Sequence, residues 1–342
     1  MTTTAKISTP PMPLLKRWKM AYDGCNVPDV ETTDSVTKWL VISRSCVFSM
    51  TITSGLIGVM LAAENFAVNW GYAFLAVIGL IIAHAANNIL NDWTDVRTGV
   101  DTEDYPRAQY SVHPLLGGLT TPNGLLKAFF ILTLTDAALM VYLMSVVGPL
   151  VAVFAVSGFV LSVTYTGILK RLGVGELTAM VVWGPLMIAG TAYVAAGQLS
   201  SNIWWATLPY GLIVASVLVG KHIDKIEADI GVGIRSVPVL LGEKRAMLLN
   251  KATFVIFYLL VITLVALQIT GPWILLSFFA IGRLRTTWKM YSEPKPAEPP
   301  EDWTVWPLWY VAWAMHFNRK AGELFILGLL LNILVPKVIN LL

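Results

Sequence analysis

The chain has 342 residues, of which 56% are hydrophobic and only 13% are charged, whereas soluble domains carry charge on about a quarter of their residues. This composition excludes an ordinary soluble domain and predicts a protein that lies in a lipid bilayer. The net charge of +3 comes from nearly equal numbers of acids and bases, so it excludes the concentrated basic surface of a nucleic-acid-binding protein.

The N-terminal 38 residues are polar and rich in threonine, and no apolar run begins before Trp39. A secretory signal peptide would place its hydrophobic region earlier, so we predict a cytoplasmic arm over residues 1–38 and a retained first membrane span. Cys25 and Cys46 match neither a zinc spacing nor a disulfide framework. We therefore expect no chemical role for these two cysteines.

Apolar runs of about 20 residues are long enough to cross the 30 Å hydrocarbon core of a bilayer as helices. Nine runs approach this length, and the eighth is short. They lie near Trp39–Ala62, Trp70–Leu90, Leu125–Val147, Leu150–Thr166, Leu177–Ala196, Trp204–Gly220, Ala252–Ile269, Trp273–Gly282 and Leu324–Leu341. The prolines of segment 292–302 predict a stiff cytoplasmic connector. The aromatic segment 303–317 favours a helix in the interface plane, with a tenth span as the alternative.

Lysine and arginine residues collect in alternate loops, as the positive-inside rule requires of correctly drawn spans. The N-terminal arm and the loops after spans two, four, six and eight hold almost all of them, and only Lys337 falls near the opposite side. We therefore predict an all-α, multi-pass integral membrane protein with a cytoplasmic N-terminus and one transmembrane domain over residues 39–342. The plasma (inner) membrane is the expected location.

A first polar cluster lies at the predicted cytoplasmic end of span two, where Asn88, Asn91, Asp92 and Asp95 are followed by Asp101. Among the first four, the pairs 88/91 and 92/95 are three residues apart and the pairs 88/92 and 91/95 are four apart. The four side chains therefore share one face of a continuing helix. We call residues 88–95 the first motif.

A second cluster, residues 221–229, closes span six and contains Lys221, Asp224, Glu227 and Asp229. We call it the second motif. Carboxylates at a bilayer edge are costly unless something compensates them, and two clusters on one membrane face could together supply the oxygen ligands that Mg²⁺ prefers. The pattern therefore predicts a magnesium ion that bridges protein carboxylates and a bound diphosphate.

Cations near these clusters would bind the remaining charge of a diphosphate and stabilise it as a leaving group. Arg44 in span one, and Lys170 and Arg171 after span four, are the candidates. Lys170 and Arg171 have an alternative interpretation as positive-inside anchors. For His113 and His222, a loop or capping role is favoured over catalysis.

The first motif contains Asn91-Asp92-Trp93-Thr94-Asp95, which resembles the NDxxD signature of the UbiA superfamily of intramembrane prenyltransferases. Gly99-Val100-Asp101-Thr102 resembles the branch that prenylates 1,4-dihydroxy-2-naphthoate for menaquinone, as do Tyr165-Thr166, Gly175-Glu176 and Gly184-Pro185. The segment from Asp224 to Gly242 is similar to the second acidic motif of the family. Two departures stand out: Gly99 occupies the place of a frequent third acid, and Lys225 occupies the place of a leading aspartate.

The resemblance implies about nine helices around a central, lipid-open cavity with a cytoplasmic acidic cap. It also implies a Mg²⁺-dependent transfer of the polyprenyl group of a polyprenyl diphosphate to an aromatic acceptor. The implied catalytic residues are Asn91, Asp92, Asp95, Asp224 and Asp229, of which Asn91, Asp95, Asp224 and Asp229 hold the metal. The implied substrate-binding residues are Arg44, Asn88, Asp101, Arg107, Tyr165, Lys170, Arg171, Lys221 and Glu227. Either Arg107 or His113 would fill a basic position after the first motif.

Two alternatives stay open at this point. The same transfer could serve another acceptor, such as 4-hydroxybenzoate, a tetrapyrrole or a glycerol phosphate lipid. A transporter is disfavoured because the ionisable residues cluster at one face and no inverted repeat is visible. Asn87 and Asn88, inside span two, are the features that favour it.

Overall fold

Helices dominate the computed structural model, which describes residues 12–27 and 29–339 and contains no strand within them. Residues 1–11 of the predicted N-terminal arm lie outside this range. The arm contains α1 (Leu14–Gly24) and the start of α2 (Ser35–Ile42). The Asp34 carboxylate begins α2 by accepting hydrogen bonds from the backbone N and Oγ1 of Thr37, at 3.0 and 2.6 Å.

The predicted first span, residues 39–62, is interrupted at Arg44. Its backbone φ is 55°, the left-handed region, so α2 cannot continue into α3 (Phe48–Asn65) as one helix. A disulfide joins Cys25, after α1, to Cys46, in the short 3₁₀ turn between α2 and α3. The expectation that these cysteines have no chemical role is therefore wrong, because they tie the N-terminal arm to the beginning of the first span.

Eight helical segments have the length and composition to cross a membrane. They are Ser45–Asn65, Trp70–Arg97, Pro122–Val147, Leu150–Leu169, Gly175–Ala196, Ser201–Ile223, Glu243–Ala266 and Tyr310–Ile339. The predicted span near 273–282 is a 3₁₀ helix, Pro272–Ala280, that continues directly into a further helix, Ile281–Met290. That second part carries Arg283, Arg285 and Lys289, so the predicted count of nine spans is not confirmed.

The segments that make up the middle of the chain are joined by short connections. In chain order they are α4 (Trp70–Arg97), α5 (Pro106–Gln109), α6 (Pro122–Val147), α7 (Leu150–Thr164), α8 (Gly175–Val181), α9 (Gly190–Ala196), α10 (Ser201–Ala206) and α11 (Leu208–Ile223). Two stretches are π-helical: Tyr165–Leu169 extends α7, and Val182–Ala189, which contains Pro185, joins α8 to α9. Wide turns of this kind are frequent at functional sites.

The C-terminal part contains α12 (Ile226–Gly231), α13 (Val237–Leu241), α14 (Glu243–Ala266), α15 (Ile281–Met290) and α16 (Tyr310–Ile339). The predicted connector over 292–302 has no helix. The predicted interfacial helix over 303–317 is not a separate helix, because residues 303–309 form turns and α16 begins at Tyr310. Tyr310–Phe317 is instead the first part of the last span.

The largest hydrophobic core lies between α3, α11, α14 and α16, where Ile57, Tyr210, Phe254 and Phe317 are almost fully buried. In the apolar window of Ser201–Ile223, 72% of the residues are buried, whereas the value is 6% for Pro122–Val147. Pro122–Val147 and Leu150–Leu169, at 11%, therefore leave most of their apolar surface for lipid. A cavity lies between α4, α7 and α11.

Candidate active site

One cavity of about 650 Å³ opens between the helices. At one end it is lined by side chains of the first motif, its following loop and the second motif, including Asn91, Asp95, Asp101 and Lys221. Further from this end its walls are mainly apolar, with Met50, Phe154 and Leu186 among them. A cavity with one charged end and long apolar walls suits an amphiphile with an anionic head and a hydrocarbon tail.

Asp92 is fully buried at the polar end. Arg44 donates to it through Nη2 and Nε, and Arg107 donates through Nε and Nη2 at 3.2 Å each. α2 ends two residues before Arg44, whose backbone has the left-handed conformation. Two guanidinium groups on one carboxylate leave positive charge in excess, which an anionic ligand could neutralise.

His113 and Asp101 lie beside Asp92. Nε2 of His113 is 3.2 Å from Asp101 Oδ2 and 3.6 Å from Asp92 Oδ1, and one ligand atom from each of the three residues fits within 4.8 Å. The sequence left open whether Arg107 or His113 occupies the basic position after the first motif. The structure brings both to Asp92, with Arg107 making the two hydrogen bonds.

Asp95 and Asn91 are held by the π-helical extension of α7 and by Lys170, the next residue in the chain. Lys170 Nζ donates to both carboxylate oxygens of Asp95 at 2.8 Å, and Thr166 Oγ1 donates to Asn91 Oδ1 at 2.9 Å. Burial lowers the pKa of Lys170 more than the neighbouring Asp95 raises it. Asn88 has a structural contact, since its Nδ2 donates to the Ser43 carbonyl at 2.9 Å.

Asp229 of the second motif is fully buried and contacts Tyr105, in the loop after the first motif. It accepts hydrogen bonds from Lys225 Nζ and from the Tyr105 hydroxyl, both at 2.7 Å. Burial by itself would raise the pKa of Asp229, but Lys225 and the other donors outweigh it and hold the pKa below its usual value. The carboxylate is therefore kept ionised.

The two motifs also pack together through their loops, where Val100 and Tyr105 form a small core with Ile234. The predicted convergence of the clusters is thus visible in the structure. Tyr105 was not identified from the sequence, because a tyrosine ten residues after Asp95 has no spacing that would mark it as a partner of Asp229.

Asp224 does not join the other acids. Its carboxylate accepts hydrogen bonds from the backbone N–H groups of Tyr310 and Val311, at 2.9 and 3.0 Å, and so begins α16. Burial raises the pKa of Asp224 to about 7, against the opposing effect of these N–H donors. The Asp224 carboxylate is thus engaged at the start of α16 and does not line the cavity, so this geometry gives no support to its predicted role as a metal ligand.

Two predicted substrate-binding residues, Glu227 and Arg171, are exposed and do not line the cavity. Tyr165 and Lys221 do line it. Behind them, His222 Nδ1 lies 2.6 Å from Glu176 Oε1, which also accepts from Val237 N at 3.1 Å. Glu176 therefore links α8 to α11 through His222 and to α13 through Val237, while His222 also lines the cavity.

Several cavity residues were missed by sequence reasoning. Asp136 lies in the apolar run of α6 and lines the cavity, and its position inside a span was a visible signal. His84 also lines the cavity, and its Nδ1 lies 2.7 Å from Thr51 Oγ1. Arg283 and Arg319 reach the cavity from α15 and α16, beyond the region in which the resemblance was recognised.

The donor atoms at the polar end fit a magnesium ion. Carboxylates of Asp92, Asp95, Asp101 and Asp229 and the amide oxygen of Asn91 are hard oxygen ligands, which Mg²⁺ prefers. Four basic side chains form ion pairs with these acids: Arg44, Arg107, Lys170 and Lys225. Such cations can bind a phosphate group that the same metal ion bridges.

The sequence of the chain matches that of the UbiA prenyltransferase family over residues 51–317. The 1,4-dihydroxy-2-naphthoate octaprenyltransferase of Bacillus subtilis (strain 168) is 22% identical over 270 residues, which cover 76% of this chain and 83% of the relative. The digeranylgeranylglyceryl phosphate synthase of Natronomonas pharaonis is 27% identical over 223 residues, or 64% of this chain and 76% of the relative.

Among solved structures, a UbiA homolog from Archaeoglobus fulgidus bound to GPP and Mg²⁺ has a TM-score of 0.62 at 13% identity, covering 86% of this chain and 99% of the homolog. This likeness confirms the helical fold. The family match confirms the resemblance seen in the first motif and excludes the transporter alternative. It covers most of the chain, including both acidic motifs, and the protein therefore belongs to the UbiA prenyltransferase family.

Proposed function

We propose that the protein transfers the polyprenyl group of a polyprenyl diphosphate to 1,4-dihydroxy-2-naphthoate in a Mg²⁺-dependent reaction. The observation that carries this proposal is the hydrogen bond between Tyr105 and Asp229, which joins the second motif to the loop after the first motif, beside the charged end of a mainly apolar cavity. The name of the Bacillus subtilis relative supports this choice of acceptor.

The residues that would hold Mg²⁺ are Asn91, Asp95 and Asp229, with Asp92 and Asp101 close to them. When bound, the ion supplies charge neutralisation for the diphosphate as its bond to the allylic carbon breaks. Asp224 is left out of this set because its carboxylate is engaged by the start of α16.

Basic residues of the chain would bind the oxygens of the diphosphate. Nη1 of Arg107 is buried and has no hydrogen-bond partner in the described part of the chain, so it has a donor left for a phosphate oxygen. Lys170 and Lys225 now pair with Asp95 and Asp229, and they would lie next to the diphosphate when these acids bind the metal. Together these cations would stabilise the developing charge of the leaving group.

The apolar walls of the cavity would exclude water from the reaction. The carbon–oxygen bond breaks with its electron pair going to the diphosphate, which leaves an allylic cation that water would quench. An electron-rich ring carbon then forms the new carbon–carbon bond. For a dihydroxynaphthoate attacked at its carboxylated carbon, carbon dioxide leaves, and the electrons of the broken bond restore the aromatic ring. Met50, Phe154 and Leu186 line the region in which the cation must be kept dry.

We further propose that the charged end of the cavity faces the cytoplasm of a cell bounded by the plasma (inner) membrane. The basic residues Arg97, Lys170, Arg171, Lys225 and Arg235 lie at or just after the ends of three spans on this side. By the positive-inside rule, this distribution supports a cytoplasmic location for both this face and the N-terminus.

A glycerol phosphate lipid is the second candidate acceptor, and the Natronomonas pharaonis relative favours it. The test is incubation of the purified protein with Mg²⁺, prenyl diphosphates of several lengths and both acceptor classes, with detection of products by mass. We expect a prenylated naphthalene whose mass reflects the loss of carbon dioxide. Alkylation of the glycerol phosphate lipid alone would contradict the aromatic acceptor and support the second candidate.

A further inference from the structure

Most cations that line the cavity are paired with a carboxylate. Arg44 and Arg107 share Asp92, and Lys170 and Lys225 each bind one aspartate. Arg283 and Arg319 also line the cavity, yet neither forms an ion pair within the described residues 12–27 and 29–339. Lys221 also lines the cavity without an ion pair among these residues, but it belongs to the second motif, whereas Arg283 and Arg319 lie on α15 and α16.

Each of these two arginines is held in place by one backbone carbonyl. Arg319 Nη2 donates to the carbonyl oxygen of Cys46 at 3.1 Å, and Arg283 Nη1 donates to that of His316 at 3.2 Å. A guanidinium has five N–H donors, so most of them have no partner among the residues that the structure describes. Nε of Arg319 is buried and has no hydrogen-bond partner among those residues.

The surroundings of the two arginines suit an aromatic anion. His316 lines the cavity on the same helix as Arg319, and its ring lies edge-on to Trp313 with centroids 5.7 Å apart. Leu308, Val311 and Met315 add apolar surface to this part of the cavity. Two cations within a membrane protein are costly without an opposite charge, so a bound anion would stabilise this arrangement.

The position of Arg319 relative to the diphosphate site is set by the chain. Arg44 contacts Asp92, Cys46 accepts the bond from Arg319, and these two residues are two positions apart, or at most about 7 Å between Cα atoms. A ring whose carboxylate binds Arg319 would thus have its carboxylated carbon on the side of the cavity where the allylic carbon is released.

We propose that Arg283, His316 and Arg319 form an anion subsite that binds the carboxylate of the aromatic acceptor and so selects carboxylated rings. The guanidinium fork matches a carboxylate in geometry and in charge. The choice of acceptor rests on the proposed function, but the subsite itself makes a separate claim about binding.

The test measures binding of 1-hydroxy-2-naphthoate and of 1-naphthol, which lacks the carboxylate, by calorimetry in the presence of Mg²⁺ and geranyl thiolodiphosphate, an unreactive donor analogue. We expect the wild-type protein to bind the carboxylated ligand more tightly. Arg319→Gln and Arg283→Gln should each weaken that binding about tenfold or more and leave 1-naphthol unchanged. Arg319→Lys should bind the carboxylated ligand more tightly than Arg319→Gln does, but less tightly than the wild-type protein.

Arg285→Gln is the matched control, because Arg285 lies on α15 two residues from Arg283, is exposed and does not line the cavity. Variants that bind geranyl thiolodiphosphate with the wild-type affinity are folded. The proposal is overturned if Arg319→Gln and Arg283→Gln bind the carboxylated ligand as Arg285→Gln does, or lose both ligands equally. If the arginine-dependent preference persists in a protein that prenylates no aromatic acceptor, the proposed function fails and the subsite stands.

Discussion

Both carboxylate oxygens of Asp95 accept hydrogen bonds from Nζ of Lys170, each at 2.8 Å. A buried carboxylate needs a positive partner, and in this structure the lysine supplies it. The same pairing recurs at Asp229 with Lys225, so one acid of each motif is matched by a lysine that could turn to a phosphate.

Asp95→Asn should abolish magnesium-dependent release of diphosphate while the protein still inserts and folds. The amide keeps the shape of the side chain but removes the negative charge that a divalent cation requires, and we expect turnover to fall by about a thousandfold. Asp104→Asn is the control, because Asp104 is exposed and does not line the cavity. Normal turnover in Asp95→Asn would remove Asp95 from the metal site.

Asp224→Asn and Asp229→Asn should behave differently, although both change an acid of the second motif. Asparagine begins helices about as well as aspartate, so Asp224→Asn should keep activity and its magnesium dependence. Asp229→Asn should lose both. The measurement is the rate of prenyl transfer across a magnesium titration. Equal losses in the two variants would show that Asp224 contributes to the metal site after all.

The contribution of Asp224 to the free energy of unfolding of the wild-type protein should fall as the pH rises from about 4 to 7. The pKa of Asp224 is about 7 in the folded protein and 3.8 in its ordinary state, so between these values the folded state holds a proton that the unfolded state releases. Thermal unfolding in detergent would measure this slope. Asp224→Asn should flatten it, and an unchanged slope would contradict the assignment.

Arg44→Ala should mainly raise the KM for the prenyl diphosphate. Arg44 shares Asp92 with Arg107, and its removal takes away one of the cations around the proposed phosphate site. We expect an increase in KM of about tenfold with a smaller change in kcat. Arg17→Ala serves as the comparison, since Arg17 pairs with Asp34 away from the cavity. A KM equal to that of the control would leave Arg44 with a purely structural role.

The part of the site that depends on one helix was predictable from the sequence. Asn88, Asn91 and Asp95 lie on α4 at helical spacing, and all three line the cavity as that spacing required. The apolar runs similarly indicated most spans within a few residues, because bilayer thickness and helical rise are fixed quantities.

Contacts between distant segments were not predictable in the same way. Tyr105 meets Asp229 across 124 residues, and Arg319 meets Cys46 across 273. The break at Arg44 was also hidden, because apolar residues continue on both sides of it and only the backbone turn separates α2 from α3. The hydropathy pattern indicates which segments are apolar and how long they are, whereas these features depend on which helices become neighbours.

The π-helical stretch Val182–Ala189 gives this part of the chain a place where one residue can be lost. A π turn holds one residue more than an α turn, so the deletion of one residue within this stretch can be taken up by conversion of a π turn to an α turn. In a regular α-helix such as α11, the same deletion would rotate the remainder of the helix by about 100°. Thr191 and Val194 of α9 should therefore keep their places in the cavity wall, and a one-residue deletion here should harm the protein less than one in the middle of α11.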